Sequence, residues 1–242
     1  MASAHRPLVV GGLNGAEPCA SCGARPHSIC AAIEPADLAR LAAVAVVSGA
    51  ARGQVFVTEG DAADSFFNVT AGTARLFKSL PDGRRQITGF AGRGHFLGLA
   101  VSDSYGFSAE AVEPLEYCRF SRRRLRLLFD DFPAFERRLL EIASNELVAA
   151  QEQMLLLGRK TARERVASFL LARSGPHAPC AGPSERLHLP MTRGDIADYL
   201  GLTIETVSRT LTRLKGNRLI GMANPSDIVI RDRVGLAEAG GG

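Results

Sequence analysis

The hydrophobic rhythm of the chain changes repeatedly along its length. Residues 1–32 hold no sustained period: Gly11, Gly12, Gly15, Pro18, Gly23 and Pro26 interrupt them. Such a segment buries no face of its own and must be ordered by something else. Apolar positions Ile33, Leu38, Leu41, Val44 and Val47 then recur at helical intervals around Glu34-Pro35, predicting a short helix with proline in its first turn. From Gly53 to Phe120 the texture turns to short β-type runs: Gln54–Thr58, Phe66–Thr70, Thr73–Lys78, Gln86–Phe90, Ser108–Val112 and Glu116–Phe120. Turn residues separate them at Glu59-Gly60-Asp61, Ala71-Gly72 and Pro81-Asp82-Gly83. Many short strands at this spacing predict an antiparallel roll or barrel.

Near Asp131-Phe132-Pro133 the period becomes helical and runs unbroken to about Leu157-Gly158. A helix of roughly 25 residues exceeds the globular norm and asks for a partner. Leu140, Leu147 and Met154 recur every seventh residue with Ala143, Ala150 and Leu157 three further on, an a/d seam, while Val148 and Leu155 offer a competing phase. The seam reads as a dimer contact, with core packing inside the monomer as the alternative. A second helix over Thr161–Arg173 carries Val166, Phe169 and Leu170 on one side. The stretch Ser174–Ser184, which holds His177 and Cys180, is expected to be a flexible loop, and the Gly-rich end at 240–242 is expected to be disordered.

Past that loop, Thr192-Arg193-Gly194-Asp195 opens a helix with a capping-box pattern, Gly201 supplies a tight turn, and Thr203 caps a second helix running to Lys215. Ile196, Ala197, Leu200, Val207, Leu211 and Leu214 form the inner face of the pair. Two capped helices across a glycine turn make a helix-turn-helix, whose second helix enters the DNA major groove. Its DNA-facing set is Glu205, Thr206, Ser208, Arg209, Thr212 and Arg213. Arg209 has the fork that suits guanine O6 and N7, and Glu205 can accept from a cytosine amino group. An ordinary helical hairpin with a solvated charged face is the bland alternative. Leu219–Met222 and Ile228–Ile230, around Asn224-Pro225-Ser226, read as a β-hairpin wing.

The run MTRGDIADYLGLTIETVSRTLTRLK, preceded by MLLLGRKTARERVASFL, resembles the CRP/FNR family of bacterial transcription regulators, and within it the oxygen-sensing FNR branch. The resemblance extends over about residues 33–235. Glu205, Ser208 and Arg209 match the FNR-type recognition helix, whereas the catabolite-activator type carries Arg where this chain has Ile204. It implies an α+β protein with an N-terminal cyclic-nucleotide-binding-like β-roll, a long dimerisation helix and a C-terminal winged helix-turn-helix. It also implies a homodimer reading TTGAT-type inverted repeats in double-stranded DNA, with RNA polymerase as the expected protein partner. The expected domains are a cysteine-rich segment at 1–32, the roll at 33–132, the dimerisation helix at 133–159 and the DNA-binding domain at 160–242.

Cys19, Cys22 and Cys30 are too clustered for core packing, and paired thiols two residues apart on a Gly/Pro-rich turn can face one metal centre. Cys118, on the same strand face as Phe120, would alone read as a buried apolar thiol. The resemblance implies that Cys19, Cys22, Cys30 and Cys118 bind a [4Fe–4S] cluster, although the spacing from Cys22 to Cys30 is longer than in the family's best-known members. Cys19, Cys22, His27 and Cys30 offer a structural zinc site instead, and a metal-free redox disulfide is a further alternative. Cys180 reads as incidental.

Composition narrows the remaining classes. With 46% hydrophobic and 22% charged residues, the 242-residue chain is that of a globular protein. No apolar run approaches the ~18 residues of a membrane span. Its five cysteines, an odd number in a long chain without a signal-like N-terminus, favour a reduced, cytoplasmic setting. A pI of about 9.0 suits an anionic partner. No P-loop, GxSxG or HExxH supports an enzyme. A cyclic nucleotide is not expected, because Gly94–Ala100 offers no Glu for the ribose and Ser104–Ala109 no Arg for the phosphate. His95 reads as a packed or capping residue. The run Arg119, Arg122, Arg123, Arg124 and Arg126 reads as a solvated surface with a smaller chance of meeting DNA or polymerase.

Overall fold

The computed structural model describes residues 8–9, 17–99, 103–175 and 186–241. His177, Cys180 and most of the expected loop at 174–184 lie outside the described residues. The chain divides into two compact units, residues 1–78 with 90–147 and residues 79–89 with 148–242.

The first unit begins with β1 (Leu8–Val9) and α1 (Glu17–Ala20), followed by 3-10 turns at Arg25–His27, Ile29–Ala32 and Pro35–Asp37 and by α2 (Leu38–Val44). The expected helix at 33–47 is therefore shorter. Val46 and Val47 belong to β2 (Ala45–Ala50), where β-branched side chains fit a pleated ladder and Val47 pairs with Cys118. The roll continues with β3 (Val55–Val57), β4 (Ser65–Ala71), β5 (Ala74–Ser79), β6 (Arg85–Ala91), β7 (Phe96–Leu97), β8 (Ser108–Ala111) and β9 (Leu115–Ser121). Two sheets result, in the orders β1-β2-β9-β4-β7 and β3-β8-β5-β6.

Alternation along β4 and β9 puts a core on each face of the first sheet. Phe67, Val69, Leu115 and Tyr117 pack inside the roll. Phe66 and Phe120 turn the other way, onto Leu38 and Leu41 of α2, Leu125 and Leu128 of α3 (Arg122–Asp131), and Phe135 of α4 (Pro133–Arg159). Ile29 and Ile33, 0% and 1% exposed, join this second core. That contact seats residues 29–33 on the roll. Arg122 departs from the expected solvated surface: it is buried, donates to the Gly98 carbonyl at 3.0 Å and lies over the Phe66 ring. His95, beside the Gly92 backbone through Nδ1, is held in a local turn as expected.

In the second unit, α5 (Ala162–Arg173) starts on a Thr161–Glu164 capping box. A three-stranded sheet, β10 (Arg186–His188), β12 (Asp227–Ile230) and β11 (Ile220–Met222) in that order, contains the expected wing and one strand more. Helices α6 (Arg193–Leu200), α7 (Ile204–Gly216) and α8 (Arg233–Ala239) complete it. Gly240 corrects the expectation of a disordered end. It is buried, and its carbonyl accepts from Lys160 Nζ at 2.6 Å and Ser168 Oγ at 3.2 Å.

Candidate cysteine cavity and nucleic-acid interface

Cys19, Cys22, Cys30 and Cys118 line one cavity of about 260 Å³ in the first unit. Three come from α1 and the turns after it. The fourth comes from the middle of β9, with its direct ladder partners Val47 and Asn68 on the same wall. The Ser28 hydroxyl caps the turn that carries Cys30, accepting from the Cys30 amide at 3.2 Å. Gly94, at φ +87°, sits so near the segment that a Cβ there would lie 2.8 Å from the His27 carbonyl oxygen. A side-chain-free turn is needed for the segment to lie down on the roll.

All four are free thiols. Burial raises the Cys30 thiol to about 11 and the Cys118 thiol to about 12, with the neighbouring cysteines adding to the shift. Burial, then Cys22, also raises Cys19, against the pull of Arg25. Cys19, Cys30 and Cys118 therefore keep their protons at neutral pH unless a metal takes the proton's place.

Among the described residues no three of His, Cys, Asp and Glu gather into a site for a single ion. His27 is not among the residues that line the cavity. Four thiols lining a common space are a donor set of the kind that would fit an iron–sulfur cluster, in which each thiolate binds a different iron. Asn68 and Arg25 also line the space. The sequence reading missed both, since only strand pairing sets Asn68 opposite Cys118.

In the second unit the Thr192 hydroxyl accepts from the Asp195 amide at 3.1 Å, and Asp195 Oδ2 accepts from the Thr192 amide at 2.8 Å. Gly201 closes α6 at φ +60°, and Thr203 caps α7 by accepting from the Thr206 amide at 3.2 Å. Val207, Leu211 and Leu214 are buried against α6, while Glu205, Ser208, Arg209, Thr212 and Arg213 are exposed together on the outer face. Thr206 is half-buried, its hydroxyl 3.0 Å from that of Thr203. The Glu205 carboxyl is held below the usual carboxylate range by its own backbone amide and the Thr203 hydroxyl, so it presents an ionised acceptor.

Arg165 is a further residue that periodicity did not single out. It donates to the carbonyls of Leu157 and Leu200 at 2.8 Å and of Lys160 at 2.9 Å, satisfying orphan acceptors at the ends of α4 and α6. On α4 itself, Leu140, Leu147, Val148, Met154 and Leu155 are 53–65% exposed, so both seam phases stand open on the single chain.

A β-roll followed by a long helix and a winged helix-turn-helix defines a DNA-binding transcription regulator. Comparison with known proteins agrees: residues 164–239 match the model of the Crp-like helix-turn-helix domain, and residues 50–132 that of the cyclic nucleotide-binding domain. The chain is 41% identical over 204 residues to the nitrogen fixation regulation protein FixK of Bradyrhizobium diazoefficiens, covering 84% of this chain and 86% of that one. It is 35% identical over 228 residues to the transcriptional activator protein FnrL of Cereibacter sphaeroides, covering 92% of each. The solved structure of FixK2 from Bradyrhizobium japonicum superposes with a TM-score of 0.76 at 36% identity, over 81% of this chain and 97% of that one. The chain belongs to the CRP/FNR family of transcription regulators.

Proposed function

We propose that the chain is an oxygen-responsive transcription activator of the FNR type, with Cys19, Cys22, Cys30 and Cys118 as the ligands of a [4Fe–4S] cluster. The observation that carries the reading is the convergence of all four thiols on one cavity. Bound there, such a cluster supplies a centre that oxygen attacks. The chain's own part is coupling. Cys118 sits on β9, which runs directly into α3 and then α4, so a bond from the N-terminal segment to Cys118 fastens that segment beside the start of the long helix. Ligation that favours the dimer-competent arrangement shifts the population toward it.

In the same reading the exposed stripe Leu140, Leu147, Val148, Met154 and Leu155 meets a second copy, since apolar stripes of this kind mark an association surface. Two copies present α7 twice, at half-sites about 34 Å apart. Arg209 reads guanine, Glu205 cytosine, and Ser208, Thr212 and Arg213 sites around them, on TTGAT-type inverted repeats. The exposed guanidiniums of Arg123, Arg124 and Arg126 on α3 are offered to RNA polymerase. Cyclic nucleotides have no part, because no carboxylate lies between Gly94 and Leu99 and no guanidinium between Ser104 and Ala109.

The test is anaerobic purification followed by iron, sulfide and zinc analysis, with an absorption spectrum before and after air. About four irons per chain, a brown colour that air bleaches and DNA binding lost with it are expected. A colourless protein with zinc or no metal, binding a TTGAT palindrome equally in air, would overturn the oxygen reading and leave the regulator.

A further inference from the structure

We propose that Asn68, with Arg25 beside it, is a hydrogen-bond donor to the sulfur atoms of the group that the four cysteines hold, and so sets how readily that group is lost to oxygen. The inference rests on the cluster reading above. Asn68 is 1% exposed, and its Oδ1 is buried without a hydrogen-bond partner. A buried polar atom left unpaired costs about 1–3 kcal/mol, so a native position that tolerates one points to an absent ligand.

Asn68 pairs with Cys118 across the β4–β9 ladder, and directly opposed side chains stand on one face. On that face its neighbours are Phe66 and Thr70 along β4 and Phe120 and Glu116 along β9; the rings offer no strong partner, Oδ1 takes none from Thr70 or Glu116, and the cavity that Thr70, Glu116 and Phe120 line with it is where a partner would stand. Carboxamide oxygen and nitrogen are told apart only by their partners. With none to fix it, a half-turn brings the NH2 group to the position of the oxygen. Thiolate and sulfide ligands only accept, so NH2 is the end that suits them.

Arg25 supplies the second donor. Its Nη2 is tied to the Ile33 carbonyl at 2.8 Å, while its Nε is buried without a partner at the same cavity. One donor thus comes from the sheet and one from the segment that carries the thiols. Hydrogen bonds to sulfur draw charge off a cluster and make it harder to oxidise.

The test uses the full chain reconstituted anaerobically with ferrous iron and sulfide. Wild type is compared with Asn68→Leu, Asn68→Ser and Asn68→Ala for iron content and for the rate at which the visible band disappears in air. Asn68→Leu should load the wild-type amount of iron and bleach about fivefold faster, the factor equivalent to the ~1 kcal/mol of a typical net hydrogen bond. Asn68→Ser, which keeps a donor, should stay within about twofold of wild type. If Asn68→Leu does not fold, Asn68→Ser against Asn68→Ala carries the same contrast of donor against none. Wild-type bleaching by the donor-free variants at full iron content would overturn the inference and leave the cluster reading standing. A wild-type chain that takes up no iron would overturn both.

Discussion

Single side chains at the two sites carry distinct chemical demands, and their replacement separates them. Replacing Cys118 with serine removes the one proposed ligand that the sheet contributes. Cys118→Ser and Cys22→Ser should each lose cluster iron and anaerobic DNA binding in a gel shift, whereas Cys180→Ser should retain both; equal loss in all three would contradict the ligand assignment. On α7, the ionised Glu205 is an acceptor on a face that also carries Arg209 and Arg213. Glu205→Ala should relax discrimination at one base pair by about 1–3 kcal/mol, read by titrating sites substituted one position at a time. Uniform weakening across those sites would make Glu205 a capping residue only. Residue chemistry was largely legible in the sequence where local spacing carried it: the caps at Thr192 and Thr203, the outward set on α7 and the cysteine cluster. Arg122 was not. A basic run looks solvated until the fold shows the Gly98 carbonyl and the Phe66 ring beneath it.

Elements are where the sequence reading slipped, and the causes are physical. Val44 and Val47 satisfy a helical interval, yet Val47 faces Cys118 in a ladder, because three-residue spacing over so short a run fits either structure until a partner strand is known. The N-terminal turns were invisible for a related reason: Ile29 and Ile33 have no periodic companions and become core only against α2 and β9. Their seat depends on Gly94. Gly94→Ala forces a left-handed backbone on a residue that resists it and drives a methyl into His27. Lower iron retention after anaerobic desalting is expected, with the far-ultraviolet circular dichroism unchanged. For α4 the exposed stripe makes a quantitative demand on association. Leu147→Glu buries charge in the seam and should yield monomers by sedimentation; a persistent dimer would move the contact elsewhere.

At the scale of the whole molecule, two units with separate cores need not melt together. A ligand held only by the first unit stabilises that unit by mass action. Calorimetry should therefore show two transitions, with cluster reconstitution moving one and leaving the other within about a degree, since ~1 kcal/mol shifts a domain of roughly 100–150 residues by about 4 °C. A single transition that shifts as a block would mean that the units unfold as one. The order of modules, roll then long helix then winged helix-turn-helix, was legible from the changes of period alone, whereas the closing helix α8 and the anchoring of Gly240 by Lys160 were not, since a glycine-rich end carries no sign of what it packs against.

Cys19 and Cys30 stand on helical turns of four residues, with Cys22 in the link between such turns, and this has a consequence in time and turnover. Turns that short share few backbone bonds with the rest of the fold, so the segment can open without disturbing the strands, in the low-energy class of local openings that proteases detect. Stripped of the proposed cluster, such a chain would be nicked between Ala20 and Ala32 long before its sheets gave way. On the proposed cluster reading, the same economy of attachment would let an uncut chain be refilled in place, so that one molecule would serve through many cycles of air and its absence.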